Sequence, residues 1–169
     1  VRACYLCPTG WMPVMEINRG EFQGTKGEGF WINTIMGHAC RVGISDPDSV
    51  IESWILTNKL GLDGDYAASV ISWTFELYEK GIISNKDTDD LELKWGDSKS
   101  FIAMLKKLAY REGFGNLLAD GILEAAKKIG KNSEYYCIHI KGQPSIEPFR
   151  VPKGWALAVS TSPVAGRHL

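Results

Sequence analysis

The sequence predicts a mostly α-helical protein with an irregular, glycine-rich segment at its N-terminal end. From Ser45 onward, apolar residues recur at helical spacing in successive stretches that are bounded by capping residues and glycines. Residues 1–44 are rich in glycine and show no sustained helical period, which indicates turns and short extended pieces. We therefore divide the chain into a cysteine-containing, glycine-rich segment at 1–44, a helical domain at 45–135 and a following segment at 136–169.

The first two predicted helices are close neighbours in the sequence. Ser45 or Asp46 can cap the first helix, Pro47 suits its first position, and Gly61 is a typical stop. The second helix covers "DGDYAASVISWTFELYEKG". Because its apolar residues lie on several sides, we expect this helix to be buried between neighbours.

A polar connection, "NKDTDDLELKWGD" at 85–97, leads to two further amphipathic helices. The third helix begins near a cap at Asp97 or Ser98, and the fourth covers "FGNLLADGILEAAKKIG" and ends at a glycine. Beyond them, "YYCIHI" is typical of a short strand, and "GWALAVSTS" predicts a short buried helix.

Composition argues against several classes of function. A formal net charge of -1 gives no general attraction to nucleic acid or to an anionic membrane surface. No apolar run approaches the roughly 20 residues of a membrane span, and no secretory signal opens the chain. Four cysteines are too few for a disulfide framework, so we expect a reducing, cytoplasmic setting. Since the sequence begins in mid-motif without a methionine, we expect a piece of a longer polypeptide.

Cys4 and Cys7 bracket a tight turn in "CYLCP". Two thiolates at this spacing suit a zinc ion, an iron–sulfur cluster or a redox disulfide. A thioredoxin-like disulfide needs a βαβ context that the glycine-rich stretch lacks, and zinc needs further ligands at finger spacing. An iron–sulfur cluster with its last ligand elsewhere fits best, and buried structural cysteines are the alternative.

Asp63 lies in the turn "NKLGLDGD" between the first two helices. A C-capping glycine followed by a helix-capping aspartate explains these residue types. The second interpretation is a carboxylate that accepts two parallel N–H bonds from an amino-pyrimidine edge.

The three histidines complete the candidates. His168 follows small residues that allow a ligand to approach the backbone, and its imidazole can exchange a proton near neutral pH. His139 lies in the apolar stretch "CIHIKG" and is the stronger candidate for a core histidine, whereas His38 fits either role.

Together, these motifs resemble the aldehyde ferredoxin oxidoreductases, in which they recur in the same order. The motifs are "CYLCP", "KGEG", "TIMGHAC", "NKLGLDG", "FELYEKGII", "GNLLADGILEAAKKIG", "HIKG" and "ALAVSTSPVAGRHL". Members of this family are tungsten or molybdenum bis-pterin enzymes and include the tungsten subunit of the benzoyl-CoA reductases. The resemblance implies that this chain is an internal fragment that covers the helical domains, while a β-rich base that holds the pterins lies outside it.

The resemblance implies an iron–sulfur role for the cysteine pair. Cys4 and Cys7 match the first two ligands of the family's [4Fe–4S] cluster, and Trp11 stands where the third cysteine is expected. An indole cannot replace a thiolate ligand.

The resemblance also implies a pterin contact in the turn between the first two helices. "NKLGLD" matches the family's pterin-contacting motif, in which Asn58 replaces the first acid and Asp63 would bond the amino-pyrimidine. The expected cofactor-binding residues are Asn58, Gly61, Leu62 and Asp63.

Catalytic residues follow from two further motifs of the family. Trp31 and Asn33 replace two glutamates, one of which lies close to the metal in aldehyde-oxidising members. His168 matches the family's catalytic histidine, so the implied site keeps its histidine and loses its carboxylates.

These observations predict a fragment of a tungsten-pterin oxidoreductase that moves electrons between a carbonyl- or carboxyl-type substrate and ferredoxin or iron–sulfur centres. The expected partners are the remainder of its own chain, ferredoxin or an iron–sulfur subunit, and a second copy in a homodimer. Two alternatives remain: a non-catalytic helical paralogue that serves as scaffold or electron-transfer partner, and a zinc-stabilised helical module built on Cys4 and Cys7.

Overall fold

The computed structural model describes residues 1–30, 32–144 and 153–164, apart from the side chain of residue 155. The helices are α1 (Ile32–Thr34), a π-helix (Ile35–Cys40), α2 (Pro47–Lys59), α3 (Gly64–Glu79), α4 (Ser98–Tyr110), α5 (Phe114–Leu118), α6 (Ile122–Ile129), a 3₁₀ helix (Ser133–Tyr136) and α7 (Lys153–Thr161). The strands form two short antiparallel pairs, β1 (Val14–Glu16) with β2 (Lys26–Glu28) and β3 (His139–Ile140) with β4 (Gln143–Pro144). The predicted mostly α class is confirmed.

Aspartate caps start the three longest helices. Asp46 Oδ2 accepts a hydrogen bond from the Ser49 backbone N–H at 2.9 Å at the start of α2. Asp63 caps α3 and Asp97 caps α4 in the same way. A capping side chain satisfies one of the backbone donors that a helix leaves without a partner in its first turn. The predicted starts near these residues are therefore confirmed.

Helix α3 lies at the centre of the main core. Its side chains Val70, Ile71 and Leu77 are fully buried, and Phe101 and Leu105 of α4 are fully buried as well. Helix α3 contacts α2, α4, the π-helix and the 3₁₀ helix, which confirms that it is buried between neighbours. Each large apolar side chain in such a position contributes about 1.5–3 kcal/mol through burial.

The core crosses the predicted segment boundaries. Val42 and Ile44 from the glycine-rich segment and Cys137 from the third segment belong to the same buried cluster as α3. The division at residues 44 and 135 stays a prediction.

The fourth predicted helix is two helices. A break at Gly121 separates α5 from α6, and the φ angle of Gly121 is 104°, a conformation that residues with a side chain rarely adopt.

The stretch "YYCIHI" is a strand only at its end, since Tyr135 and Tyr136 lie in the 3₁₀ helix. Among the described side chains of α7, Val159 is buried and Leu157 is 65% exposed, so this helix is present but mostly not buried.

None of the described helices combines the length and apolarity needed to cross a membrane.

Gly115 provides a test of the packing between α4 and α5. A Cβ at this position would lie 2.2 Å from the carbonyl oxygen of Lys107, so the two helices would have to move apart. We expect Gly115→Ala to lower the free energy of unfolding by about 1–3 kcal/mol, as measured by chemical denaturation. Gly154→Ala is the control, because a Cβ at Gly154 would meet nothing within 4 Å. Equal stability of the two variants would contradict this account.

Candidate functional site

The cysteine pair forms the tight turn that its spacing predicts. The backbone N–H of Cys7 donates to the carbonyl oxygen of Cys4 at 3.0 Å, and Leu6 between them adopts a left-handed φ of 59°. Both thiols are exposed. Trp11, which is 46% exposed, lies on the returning strand of this loop, where Arg2 and Met12 form an antiparallel bridge.

The described residues do not complete a metal site around this turn. Across 1–30, 32–144 and 153–164, no cluster of three or more histidine, cysteine, aspartate or glutamate side chains could hold a metal ion. A [4Fe–4S] cluster needs four ligands, and the turn offers two thiols. The described part of the chain therefore completes neither an iron–sulfur cluster site nor a zinc site around these two thiols.

The turn between α2 and α3 brings together the residues expected to contact a pterin. Gly61 ends α2 with a left-handed φ of 69°, and the backbone N–H of Leu62 donates to the Thr57 carbonyl at 3.1 Å. The side chain of Asn58 is exposed and donates to the Trp54 carbonyl at 2.9 Å. Asn58 thus supports the end of α2.

Asp63 caps α3, as the first of its two interpretations from the sequence predicts. Its Oδ1 accepts a hydrogen bond from the Tyr66 backbone N–H at 2.9 Å. The residue is exposed and borders a cleft of about 110 Å³. The cleft is lined by Leu62, Asp63, Tyr66, Ala67, Leu108, Leu118 and Ala119.

A helix cap and a ligand contact are compatible at Asp63. An ionised carboxylate has two oxygens with several acceptor positions, so one capping bond to Oδ1 does not use its full hydrogen-bonding capacity. The exposed carboxylate of Asp63 beside this largely apolar cleft has the chemistry to accept hydrogen bonds from the N–H edge of a flat heterocycle. The residues present therefore fit a pterin contact.

Asn33 lies against the same end of α3. Its Nδ2 donates to Asp65 Oδ2 at 3.4 Å, and Asp65 is in the first turn of α3. Asp65 is also close to the half-buried guanidinium of Arg41, which donates to the hydroxyl of Ser69. Burial lowers the pKa of Arg41 and the Asp65 carboxylate acts in the opposite direction. A polar network thus runs from Asn33 along α3, while Trp31 and His168 lie outside the described residues.

Of the two described histidines, His38 is the buried one, and its role was left open by the sequence. Its side chain is fully buried, with Nδ1 3.0 Å from the Ser53 hydroxyl. Burial lowers the pKa of His38 from 6.5 to about 4, and this effect outweighs that of the Gly64 backbone, which acts in the opposite direction. His139, predicted for the core, is exposed in β3 and accepts from the Gly142 backbone N–H at 3.2 Å. The small residues on both sides of His38 are the sequence signal that favoured burial, because they let neighbouring helices approach.

A solved structure shares this fold. The match is the active site complex BamBC of benzoyl coenzyme A reductase in complex with 1,5-dienoyl-CoA, at a TM-score of 0.72 and 27% identity. It covers 85% of this chain and 21% of that chain. The chain therefore has the fold of one helical part of that larger structure.

The family follows from the sequence. The family model for aldehyde ferredoxin oxidoreductase, domains 2 & 3, matches residues 1–169. This chain belongs to the aldehyde ferredoxin oxidoreductase family, as its motifs predict.

Two curated relatives from Pyrococcus furiosus are similar to this chain. The aliphatic sulfonate oxidoreductase, WOR-like subunit, is 32% identical over 83% of this chain and 23% of its own length. A tungsten-containing aldehyde ferredoxin oxidoreductase is 30% identical over 99% of this chain and 27% of its own length. The chain thus spans about a quarter of the length of these relatives.

The burial of His38 predicts a pH dependence of stability. Between pH 6.5 and about 4 the unfolded chain binds a proton at this residue and the folded protein does not. The free energy of unfolding therefore falls as the pH is lowered through this range, by about 3 kcal/mol for this residue. Chemical denaturation at several pH values measures this slope, and His38→Phe should lose that part of it. An identical slope in both proteins would show that His38 does not titrate in this way.

Proposed function

We propose that this chain forms the helical, cofactor-contacting part of a tungsten-pterin oxidoreductase. Molybdenum is the alternative to tungsten in such a cofactor. The enzyme would move electrons between a carbonyl- or carboxyl-type substrate and ferredoxin or iron–sulfur centres. The observation that carries the proposal is the exposed Asp63 carboxylate at the mouth of its cleft, in a chain of this family. The reducing, cytoplasmic setting expected from the cysteines is part of the proposal.

A bound metal bis-pterin would supply the two-electron redox chemistry. Asp63 would accept N–H bonds from the amino-pyrimidine and so fix the orientation of the pterin. Gly61 and Leu62 form the turn that presents this carboxylate, and Asn58 closes the preceding helix through its bond to Trp54.

His168 is the proposed proton donor or acceptor. The residue lies outside the described residues, so its role rests on its match to the catalytic histidine of the family. An imidazole suits this task because its ordinary pKa lies near neutral pH.

Asn33 bears on the substrate class. Asn33 and Trp31 stand where the family commonly carries two glutamates, one of which lies close to the metal in aldehyde-oxidising members. The amide of Asn33 is engaged with Asp65. An amide cannot accept a proton as a general base at neutral pH. We therefore propose that the substrate is an acyl or related compound whose reaction does not need a carboxylate at this position.

The proposed partners are those that the resemblance implies, and the length of the relatives supports the first of them. The chain spans 23% to 27% of theirs, so the rest of the pterin site would come from the remainder of its own polypeptide. Ferredoxin or an iron–sulfur subunit would exchange electrons with the metal, and a second copy would form a homodimer.

A non-catalytic paralogue is the second candidate. It is favoured by the replacement of a cysteine or an acid of the family motifs at four positions, Trp11, Trp31, Asn33 and Asn58. Metal analysis of the full-length protein separates the two candidates, since a scaffold protein would hold neither tungsten nor molybdenum.

Asp63→Asn tests the pterin contact in the full-length protein purified from its native host. Asparagine keeps one acceptor but turns an N–H donor toward the pterin's own donors. Charge-assisted bonds contribute about 1.5–3 kcal/mol, so the pterin and metal content should fall about tenfold or more.

Asp97→Asn is the matched control for this experiment. Asp97 caps α4 by accepting from the backbone N–H groups of Lys99 and Ser100, and it does not line the Asp63 cleft. The control should lose a comparable amount of stability and keep its pterin. Absence of both metals from the parent protein would overturn the proposed function, and equal pterin content in the two variants would return Asp63 to a cap alone.

His168→Ala tests the proposed proton transfer. We expect turnover to fall by about 10²–10⁴-fold, the usual share of general acid–base catalysis, while metal and pterin content stay constant. His139→Ala is the control, since His139 is an exposed residue of β3. Parental turnover of His168→Ala on the enzyme's substrate would show that His168 does not transfer a proton.

A further inference from the structure

Three motif segments of the chain meet at one pair of rings, His38 and Trp54. The indole N–H of Trp54 donates to the Glu28 carbonyl at 3.3 Å, which joins α2 to the "KGEG" segment. The ring of His38, in the π-helix, meets the Trp54 ring edge-on with centroids 5.6 Å apart. Phe101 of α4 packs edge-on against the other side of His38 at 5.3 Å.

The third segment that reaches this pair is the turn that carries Asp63. A Cβ at Gly64 would lie 2.5 Å from Cζ3 of Trp54 and 3.4 Å from Nε2 of His38. The backbone of Gly64 therefore rests directly on the two rings, with no space for a side chain. Gly64 follows Asp63 in the chain, so the rings support the turn from its buried side.

The orientation of the His38 ring is fixed by Ser53. Nδ1 of His38 lies 3.0 Å from the Ser53 hydroxyl, which itself lies 2.9 Å from the Val50 carbonyl. Both side chains are fully buried, so water does not compete for these bonds. The other ring nitrogen, Nε2, lies beside Gly64 and makes no hydrogen bond to the described residues.

We infer that His38 and Ser53 are positioning residues, which hold Gly64 and thereby set the direction in which the Asp63 carboxylate faces its cleft. This inference rests on the proposed pterin contact. Asp63 is exposed, so its backbone is supported from the buried side of the turn, where Gly64 meets the rings. A carboxylate that must present one face to Tyr66 and another to a ligand tolerates little rotation, because hydrogen bonds weaken steeply with angle.

Ser53→Ala and His38→Phe test the inference in the full-length protein. Ser53→Ala removes the bond to Nδ1 and keeps the ring, whereas His38→Phe keeps a ring and removes both nitrogens. We expect each variant to raise amide hydrogen exchange in residues 60–66 about 2- to 10-fold, the range that one hydrogen bond contributes. Because the two residues act as one unit, the exchange rate in the double variant should be close to that of the faster single variant, without a further 2- to 10-fold increase.

Thr74→Val is the matched control. Thr74 is fully buried on α3, and its hydroxyl donates to the Val70 carbonyl at 2.9 Å, a bond of the same kind as that of Ser53 to Val50. The control should lose stability without a change in exchange at residues 60–66. In the loaded enzyme, Ser53→Ala should also lower pterin content and shift the reduction potential of the metal, and Thr74→Val should do neither.

The outcomes separate this inference from the proposed function. Unchanged exchange at residues 60–66 in both variants would overturn the inference. Pterin loss in Asp63→Asn with full retention in Ser53→Ala and His38→Phe would also overturn it, and would leave the proposed function standing. If the parent protein is found to hold no pterin, the proposed function fails. Faster exchange at residues 60–66 in its Ser53→Ala and His38→Phe variants would then still show that His38 and Ser53 hold the turn in place.

Discussion

The burial of α3 between its neighbours is the constraint on which the rest of the structure depends. Its apolar side chains face α2, α4 and the 3₁₀ helix, so that a shift of α3 would open the core on several sides at once. Its buried hydroxyls add no unsatisfied donors, because Ser69 and Thr74 donate to the carbonyls of Asp65 and Val70 one turn earlier. The first turn of α3, which carries the candidate site, is thereby held in place.

The candidate site uses the start of a helix for two purposes. Asp63 satisfies a backbone donor of α3 and presents the same carboxylate at the mouth of a cleft. The site is thus formed by a backbone requirement of the fold and not by an added loop. A ligand that binds there would meet a rigid group, since rotation of the carboxylate would break the cap.

Surface charge contributes to local structure more than to overall stability. Most of the ion pairs between described residues join exposed side chains, and such pairs contribute about 0–1 kcal/mol each. Asp89 differs in its role, because it accepts from Lys107 Nζ and from the Phe114 backbone N–H, both at 2.9 Å. The bond from Lys107 and the bond from Phe114 lower the pKa of Asp89. This carboxylate ties the polar connection at 85–97 to α4 and α5.

The sequence by itself determined the family, the mostly α class, the starts of α2, α3 and α4, and the turn at Cys4 and Cys7. These features depend on local patterns: an aspartate cap, a proline in the first turn, a helical period or a glycine in a left-handed position. Only the tertiary structure decided which histidine is buried, that α5 and α6 are separate, and that Gly64 rests on His38 and Trp54. Those outcomes depend on contacts between residues distant in sequence, whose side chains compete for the same space. Local patterns, such as the small residues beside His38 and the glycine at Gly121, permit these outcomes without deciding them.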